Sequence, residues 1–236
     1  MTAIKNTDAL GFALLSYLKG EQNFDVIVSS DISEDDIIPL PYLFRTYQDF
    51  PEIEKKAIAL CTGNVLDVGA GSGCHSKVLK EKNIAVKAID ISEGAVTAMQ
   101  QQNLNAECFN FFDVKEKFDT LLFLMNGVGI AGTLAGLKPF LLHAKSLLKD
   151  GGQVLLDSSD ISYMFEDEDG AVWTDLNKTY YGEVIYQMQY KEVKTAPFNW
   201  LFVDFETLKK QAMDIGFNVE LVLEDENNQY LAKLSI

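Results

Sequence analysis

Residues 65–79, VLDVGAGSGCHSKVL, constrain this chain most: an apolar run ends in an acid, passes through glycines at 69, 71 and 73, and enters a helical pattern. Glycines there let the backbone approach a ligand closely, and the amides exposed at the following helix start bind its polar groups. Two ligand classes compete for such a turn. The dinucleotide fingerprint G-x-G-x-x-G needs its third glycine where this chain has Cys74, with glycine falling at Gly73 instead. Asp67, two residues before the first glycine, would repel a diphosphate and suits an ammonium group. A cationic amino-acid cofactor therefore fits better than NAD.

About 23 residues on, IAVKAIDIS puts Asp90 at the carboxyl end of a second apolar run. A carboxylate there can accept hydrogen bonds from both hydroxyls of a ribose, or simply cap the next helix. Its spacing from the glycine turn favours the ribose. From Gly63 to Asp157 the strand candidates NVLDVG, IAVKAID, AECFN, TLLFLMN and GQVLLDS alternate with helices over about Cys74–Glu81, Glu93–Gln102 and Thr133–Leu148. Strands without polar alternation are buried on both faces, and helices between them supply the crossovers of a parallel sheet. The pattern predicts a doubly wound α/β domain.

The flanks read differently. An amphipathic helix is expected from roughly Thr2 to Lys19, then the apolar run DVIVSS and the acidic turn SEDD; Pro39 and Pro41 argue against regular helix, and Pro51 suits a helix start. After Asp157 comes an acidic turn and an aromatic, alternating segment to Asp204, too short to bury its own core and read as an antiparallel insert. A helix from about Phe205 to Ile215 and the strands FNVELVLE and QYLAKLSI complete the chain. The expected plan is a single domain, with 1–60 an N-terminal extension, 61–157 the cofactor-binding core, 158–204 a β insert or lid, and 205–236 a terminal helix and hairpin.

Charge limits the partners. With 35 acids, 20 bases and a net charge of -15, the chain lacks the clustered Lys and Arg that replace phosphate counterions on nucleic acid, and anionic membrane is equally disfavoured. Three cysteines without C-x-x-C spacing suggest reduced thiols, not a disulfide framework or a zinc site. No apolar leader or spanning run is seen, so a cytoplasmic location is expected.

The ordered series DVGAGSG, AIDIS, FFD, FDTLLFLMNGVG and LLKDGGQVLLD resembles the motifs of class I S-adenosylmethionine-dependent methyltransferases, over about Leu60–Asp157 plus the terminal helix and strands. The resemblance implies a Rossmann-like seven-stranded sheet whose last strand, Tyr230–Ser235, runs antiparallel. Position by position it implies that Asp67, Gly69, Ala70 and Gly71 hold the methionine end of S-adenosyl-L-methionine and that Asp90, with Ile91, holds the ribose. Phe112 and Asp113 would border the adenine, although core packing and a turn are the plain alternatives. Met125, Asn126 and Gly127 would lie beside the sulfonium. Families that methylate base or amide nitrogens carry an (Asn/Asp)-Pro-Pro-aromatic stretch there; this chain has Asn-Gly-Val-Gly, which favours a small-molecule acceptor.

Arg45, the one arginine, lies in PLPYLFRTY upstream of the first strand, where a guanidinium could fork onto the cofactor carboxylate or simply pair with an acid. Tyr47, Trp173, Tyr181 and Trp200 are candidate substrate contacts, the last three on a lid, against a core or sheet-extension role. His75 and His143 read as structural. No catalytic base or metal site can be placed. The expected function is methyl transfer to N, O or S of a small molecule by in-line displacement, with any self-association giving a homodimer; the alternative is a non-catalytic binder of the same cofactor.

Overall fold

The computed structural model describes residues 5–21, 24–165 and 180–236. Its N-terminal part holds α1 (Ala9–Leu18), β1 (Val26–Ser30), β2 (Asp36–Ile38), α2 (Leu40–Leu43) and α3 (Glu52–Leu60). The core follows as β3 (Val65–Val68), α4 (Cys74–Glu81), β4 (Val86–Asp90), α5 (Glu93–Gln101), β5 (Ala106–Cys108), β6 (Phe118–Phe123), α6 (Leu134–Ser146) and β7 (Leu148–Ser159). Last come β8 (Glu183–Tyr190), β9 (Val193–Lys194), β10 (Phe198–Leu201), α7 (Phe205–Asp214), β11 (Asn218–Glu224) and β12 (Gln229–Ser235).

Seven strands form the main sheet in the order β11-β12-β7-β6-β3-β4-β5. β3, β4, β5, β6 and β7 pair in parallel, and β12 pairs antiparallel with both β7 and β11, as expected for the final strand. The strand order reverses at β3, between its neighbours β4 and β6, and opens the crevice where ligands of doubly wound sheets sit. All four residues of β3 are buried. Phe140, Leu141 and Leu208 of α6 and α7 cover one face of the sheet, and Ile53, Ile58 and Leu79 of α3 and α4 cover the other.

Three features depart from the sequence reading. First, α1 begins at Ala9, because the Asp8 carboxylate caps it by accepting from Gly11 N at 2.9 Å. Second, α2 is helical despite its proline: Pro41 lies in the first turn, where no amide donor is needed. Third, the antiparallel insert, expected to be too short for a core of its own, pairs with N-terminal strands that the sequence reading left apart from it. β8, β9 and β10 join β1 and β2 in a second, antiparallel sheet, ordered β10-β8-β1-β2 with β9 on β8. Three short strands alone would be marginal; the N-terminal hairpin widens them to five.

α1 fastens this second sheet to the main one. Leu14 and Ala13 pack with Val26 and Tyr190, while Gly11 faces Gly94 of α5 so closely that a Cβ on Gly94 would lie 2.4 Å from Gly11 Cα. The Asp8 carboxylate completes the clasp by accepting from Gly94 N at 2.9 Å and from the Ser92 hydroxyl at 2.8 Å.

Candidate active site

The carboxyl ends of β3, β4 and β6 form one side of a cavity of about 850 Å³, and the second sheet roofs it. After β3 the backbone turns at Gly69 and Gly71 with φ of 68° and 55°, a region that side chains rarely adopt. A Cβ on Gly71 would meet nothing within 4 Å, so the turn presents bare backbone to open space. Gly71 N donates to one oxygen of Asp90 at 2.9 Å and Ser92 N to the other at 2.8 Å. Each carboxylate oxygen keeps a second lone pair, enough for a pair of hydroxyls. Burial raises Asp90 above the usual carboxylate range, with those two amides working the other way. This glycine cradle and acid fit the methionyl and ribose parts of S-adenosylmethionine.

Asp67 does not reach the cavity wall. It is buried behind the glycine turn and accepts the Ser76 hydroxyl at 2.7 Å, so it braces the turn against α4 instead of facing an ammonium group. Ala70 is likewise buried off the wall. At the β4 and β5 end, Ile91 and Phe112 line the cavity, but Asp113 does not. The Asn110 side chain accepts Phe112 N at 2.9 Å and starts a tight turn that directs Asp113 to a separate hollow beside Lys87 and Glu107. Asn110 itself takes the place on the wall that Asp113 was expected to occupy.

Met125, Asn126 and Gly127 follow β6 and line the wall. Met125 and Asn126 both have left-handed φ, 61° and 58°, an uncommon conformation for side chains of this kind. What holds it is Asp157, at the end of β7, which accepts Met125 N at 3.0 Å and Gly127 N at 3.2 Å, and the Gln229 amide at 3.1 Å. Burial pushes Asp157 up to about 7 against the pull of the Gly127 amide. The sequence signal for Asp157 was an acid inside the otherwise apolar run GQVLLDS.

Arg45 is not on the wall either. Its guanidinium is buried, pairs with Glu54, donates to Tyr42 O at 2.7 Å and lies 4.0 Å over the Tyr42 ring. His75 Nε2 takes the other Glu54 oxygen at 2.9 Å. Burial works against a charged His75, but Cys74 and Glu54 outweigh it and hold the imidazole well above its ordinary value. Among the described residues, Arg45 meets the wall at Met125, with Nη1 3.8 Å from Sδ. Glu54 was legible only as a first-turn acid of α3. His75, with its Glu54 partner, and His143, 2.9 Å from Phe111 O, both have structural places.

Of the aromatic candidates, Trp200 lines the cavity and sits on Gly129, where a Cβ would lie 2.2 Å from the indole. Gly129, the second glycine of Asn-Gly-Val-Gly, thus makes room for the roof. Tyr181 is off the wall, donating to Asp160 at 2.7 Å, and Tyr47 packs edge-on against Phe50. Trp173 lies outside the described residues. Sequence reasoning missed the roof residues Val28, Asp36, Tyr186, Met188 and Phe198, because β1 gave no sign of pairing with β2 on one side and β8 on the other.

A parallel sheet with one reversed strand, a glycine cradle after its first strand and an acid after its second define a class I S-adenosylmethionine-binding domain. No family model matches the sequence. The chain is similar to a solved S-adenosylmethionine-dependent methyltransferase from Bacteroides fragilis in complex with S-adenosyl-L-homocysteine, at 40% identity and a TM-score of 0.92, covering 99% of this chain and 98% of that one. An uncharacterised methyltransferase of Staphylococcus carnosus is 28% identical over 183 residues, 75% of this chain and 81% of that protein. An S-adenosylmethionine-dependent methyltransferase from Clostridium acetobutylicum shares the fold, with a TM-score of 0.58 at 16% identity over 80% of this chain and 93% of that one. The chain belongs to the S-adenosylmethionine-dependent methyltransferases, and S-adenosylmethionine is its cofactor.

Proposed function

We propose that the protein methylates a nitrogen, oxygen or sulfur of a small molecule. One observation supports this above others: the second sheet roofs the glycine cradle and leaves a cavity of about 850 Å³, within the roughly 300–1,000 Å³ of ordinary small-molecule sites. A duplex or folded protein would need an open, complementary surface, and the acidic chain offers no phosphate footprint.

In this reading the backbone at Gly69 and Gly71 holds the methionine end of the cofactor, Asp90 its ribose, and Phe112 with Asn110 its adenine. The bound cofactor supplies a methyl group already activated by a sulfonium. The protein's own part is to orient and to exclude water. Met125 and Asn126, fixed by Asp157, form the wall past which the acceptor approaches, and Trp200 with its neighbours closes the space behind it. The acceptor's lone pair forms the new bond in line with the breaking carbon–sulfur bond, and S-adenosylhomocysteine leaves.

Incubating the protein with methyl-labelled S-adenosylmethionine and a cell extract split into small-molecule, protein and nucleic-acid fractions tests this. Label should enter the small-molecule fraction. Label confined to protein or nucleic acid would overturn the reading.

A further inference from the structure

Strand register determines which roof residues face the acceptor. Val28 pairs with Asp36 on one side and Met188 on the other, Ser30 pairs with Tyr186, and Tyr186 with Phe198. Directly opposed residues share a face, as do residues two apart on one strand. So Val28, Asp36, Tyr186, Met188, Phe198 and Trp200 all look into the cavity, and each does line it. The face is aromatic and apolar with a single ionisable acid.

Among the described residues on the cavity wall, Lys5 is the one cation. It bears electrostatically on Cys108, where β5 finishes, and belongs to the segment before α1 rather than to the roof strands. An acceptor bearing a carboxylate, phosphate or sulfate would therefore leave water for a roof with no counter-charge and an acid of the same sign. Asp36 forms no ion pair among the described residues, and the one hydrogen bond it makes is with its neighbour's amide, Ile37 N at 2.7 Å. Ring faces of Tyr186, Phe198 and Trp200 attract cations through their quadrupoles, and a carboxylate within the same wall adds to that attraction. Asp36 also bears on Tyr186 electrostatically, so the two belong to one patch.

We infer that the acceptor is an amine attached to an aromatic or apolar body, selected by the Asp36 and aromatic face of the roof; this deepens the small-molecule reading and rests on it. The ammonium form is drawn in and gives one proton to water at the rim beside Asp36, an exposed residue, before its free base reacts. The nitrogen lone pair then forms the bond to carbon while the carbon–sulfur pair leaves on sulfur, and the methylated product departs as an ammonium.

Calorimetric titration of the S-adenosylhomocysteine-saturated protein with tryptamine and phenethylamine, against their carboxylate isosteres indole-3-propionate and 3-phenylpropionate, tests the inference. At least one amine should bind tenfold or more tighter than its isostere, and Asp36→Asn should reduce that ratio to about threefold or less while S-adenosylhomocysteine affinity stays unchanged. Carboxylates binding as well as the amines would overturn the amine assignment and leave the small-molecule reading standing. An amine preference unmoved by Asp36→Asn would remove Asp36 from it. If no compound binds although S-adenosylhomocysteine does, the amine inference fails, and the small-molecule reading is decided by the labelling experiment.

Discussion

Replacing Arg45 with methionine separates two roles that the sequence alone left open. Its guanidinium shares the buried Glu54 carboxylate with His75, so the substitution strands an acid that has lost one of two charged partners. Breaking a buried pair costs about 3–5 kcal/mol, and His75 on the second Glu54 oxygen keeps the loss near the lower end, about 3 kcal/mol. For a chain of 236 residues each kcal/mol moves the melting point by about 2–4 °C, giving a fall of about 6–12 °C. Adding Glu54→Gln removes the stranded charge, so the double variant should be more stable than the sum of the single losses by about 1–2 kcal/mol. Thermal melts by circular dichroism read the stability, and calorimetry well below the transition reads the affinity for S-adenosylhomocysteine. Because Arg45 lies off the cavity wall, that affinity should stay within about threefold of the parent. An unchanged melting point with affinity reduced more than about tenfold would refute this reasoning and return Arg45 to the cofactor carboxylate.

Asp90→Ala should weaken S-adenosylhomocysteine binding more than about tenfold, since two charge-assisted hydrogen bonds and the tether on Gly71 go together; normal calorimetric affinity in a folded variant would contradict it. Gly94→Ala would put a Cβ 2.4 Å from Gly11 Cα, so α1 must shift and stability should drop by about 1–3 kcal/mol in urea unfolding, against no change if the contact is slack. Gly129→Ala should unseat the Trp200 indole and alter tryptophan fluorescence, and an unchanged spectrum would count against the Trp200 seat. Stability should peak near about pH 5 and decline toward pH 9. Asp157, raised from 3.8 to about 7, favours the folded state less and less as pH rises across that window, and the stabilisation from His75 is complete below 6.5 and lost as pH passes its higher folded value. Glu54, lowered from 4.5, limits the acid side; a urea midpoint that rises from pH 5 to 9 would refute the assignment.

The core was readable because the central strands β3 and β6 and most of β7 are buried on both faces, and unbroken apolar runs between helical repeats leave few alternatives. That the glycine turn and Asp90 lie together on the cavity wall was readable for a related reason: both are local, set by a turn and a strand end. Arg45, Asp67 and Asp113 were misplaced because residue type and spacing do not say which way a side chain leaves the backbone. Asp67 turns back to Ser76, Asp113 is directed away by the Asn110 turn, and Arg45 finds Glu54 nine positions along the chain. The roof was hidden most deeply. DVIVSS looks like any short apolar run until β8 lies beside it, and nothing local encodes a pairing across that distance.

That pairing also sets an order of events during synthesis. The amide of Ile185 and the carboxylate of Asp31, which join the two halves of the roof, are 154 residues apart. At about 5–20 residues per second, the N-terminal hairpin waits roughly 8–30 s on a ribosome before its partner strand emerges, and the parallel core can collapse meanwhile. The edge left open in that interval invites pairing with other chains. Glu34 and Asp35 before β2, with Asp36 at its start, place three like charges on the waiting hairpin, the kind of gatekeeper charge that opposes pairing between unfinished chains.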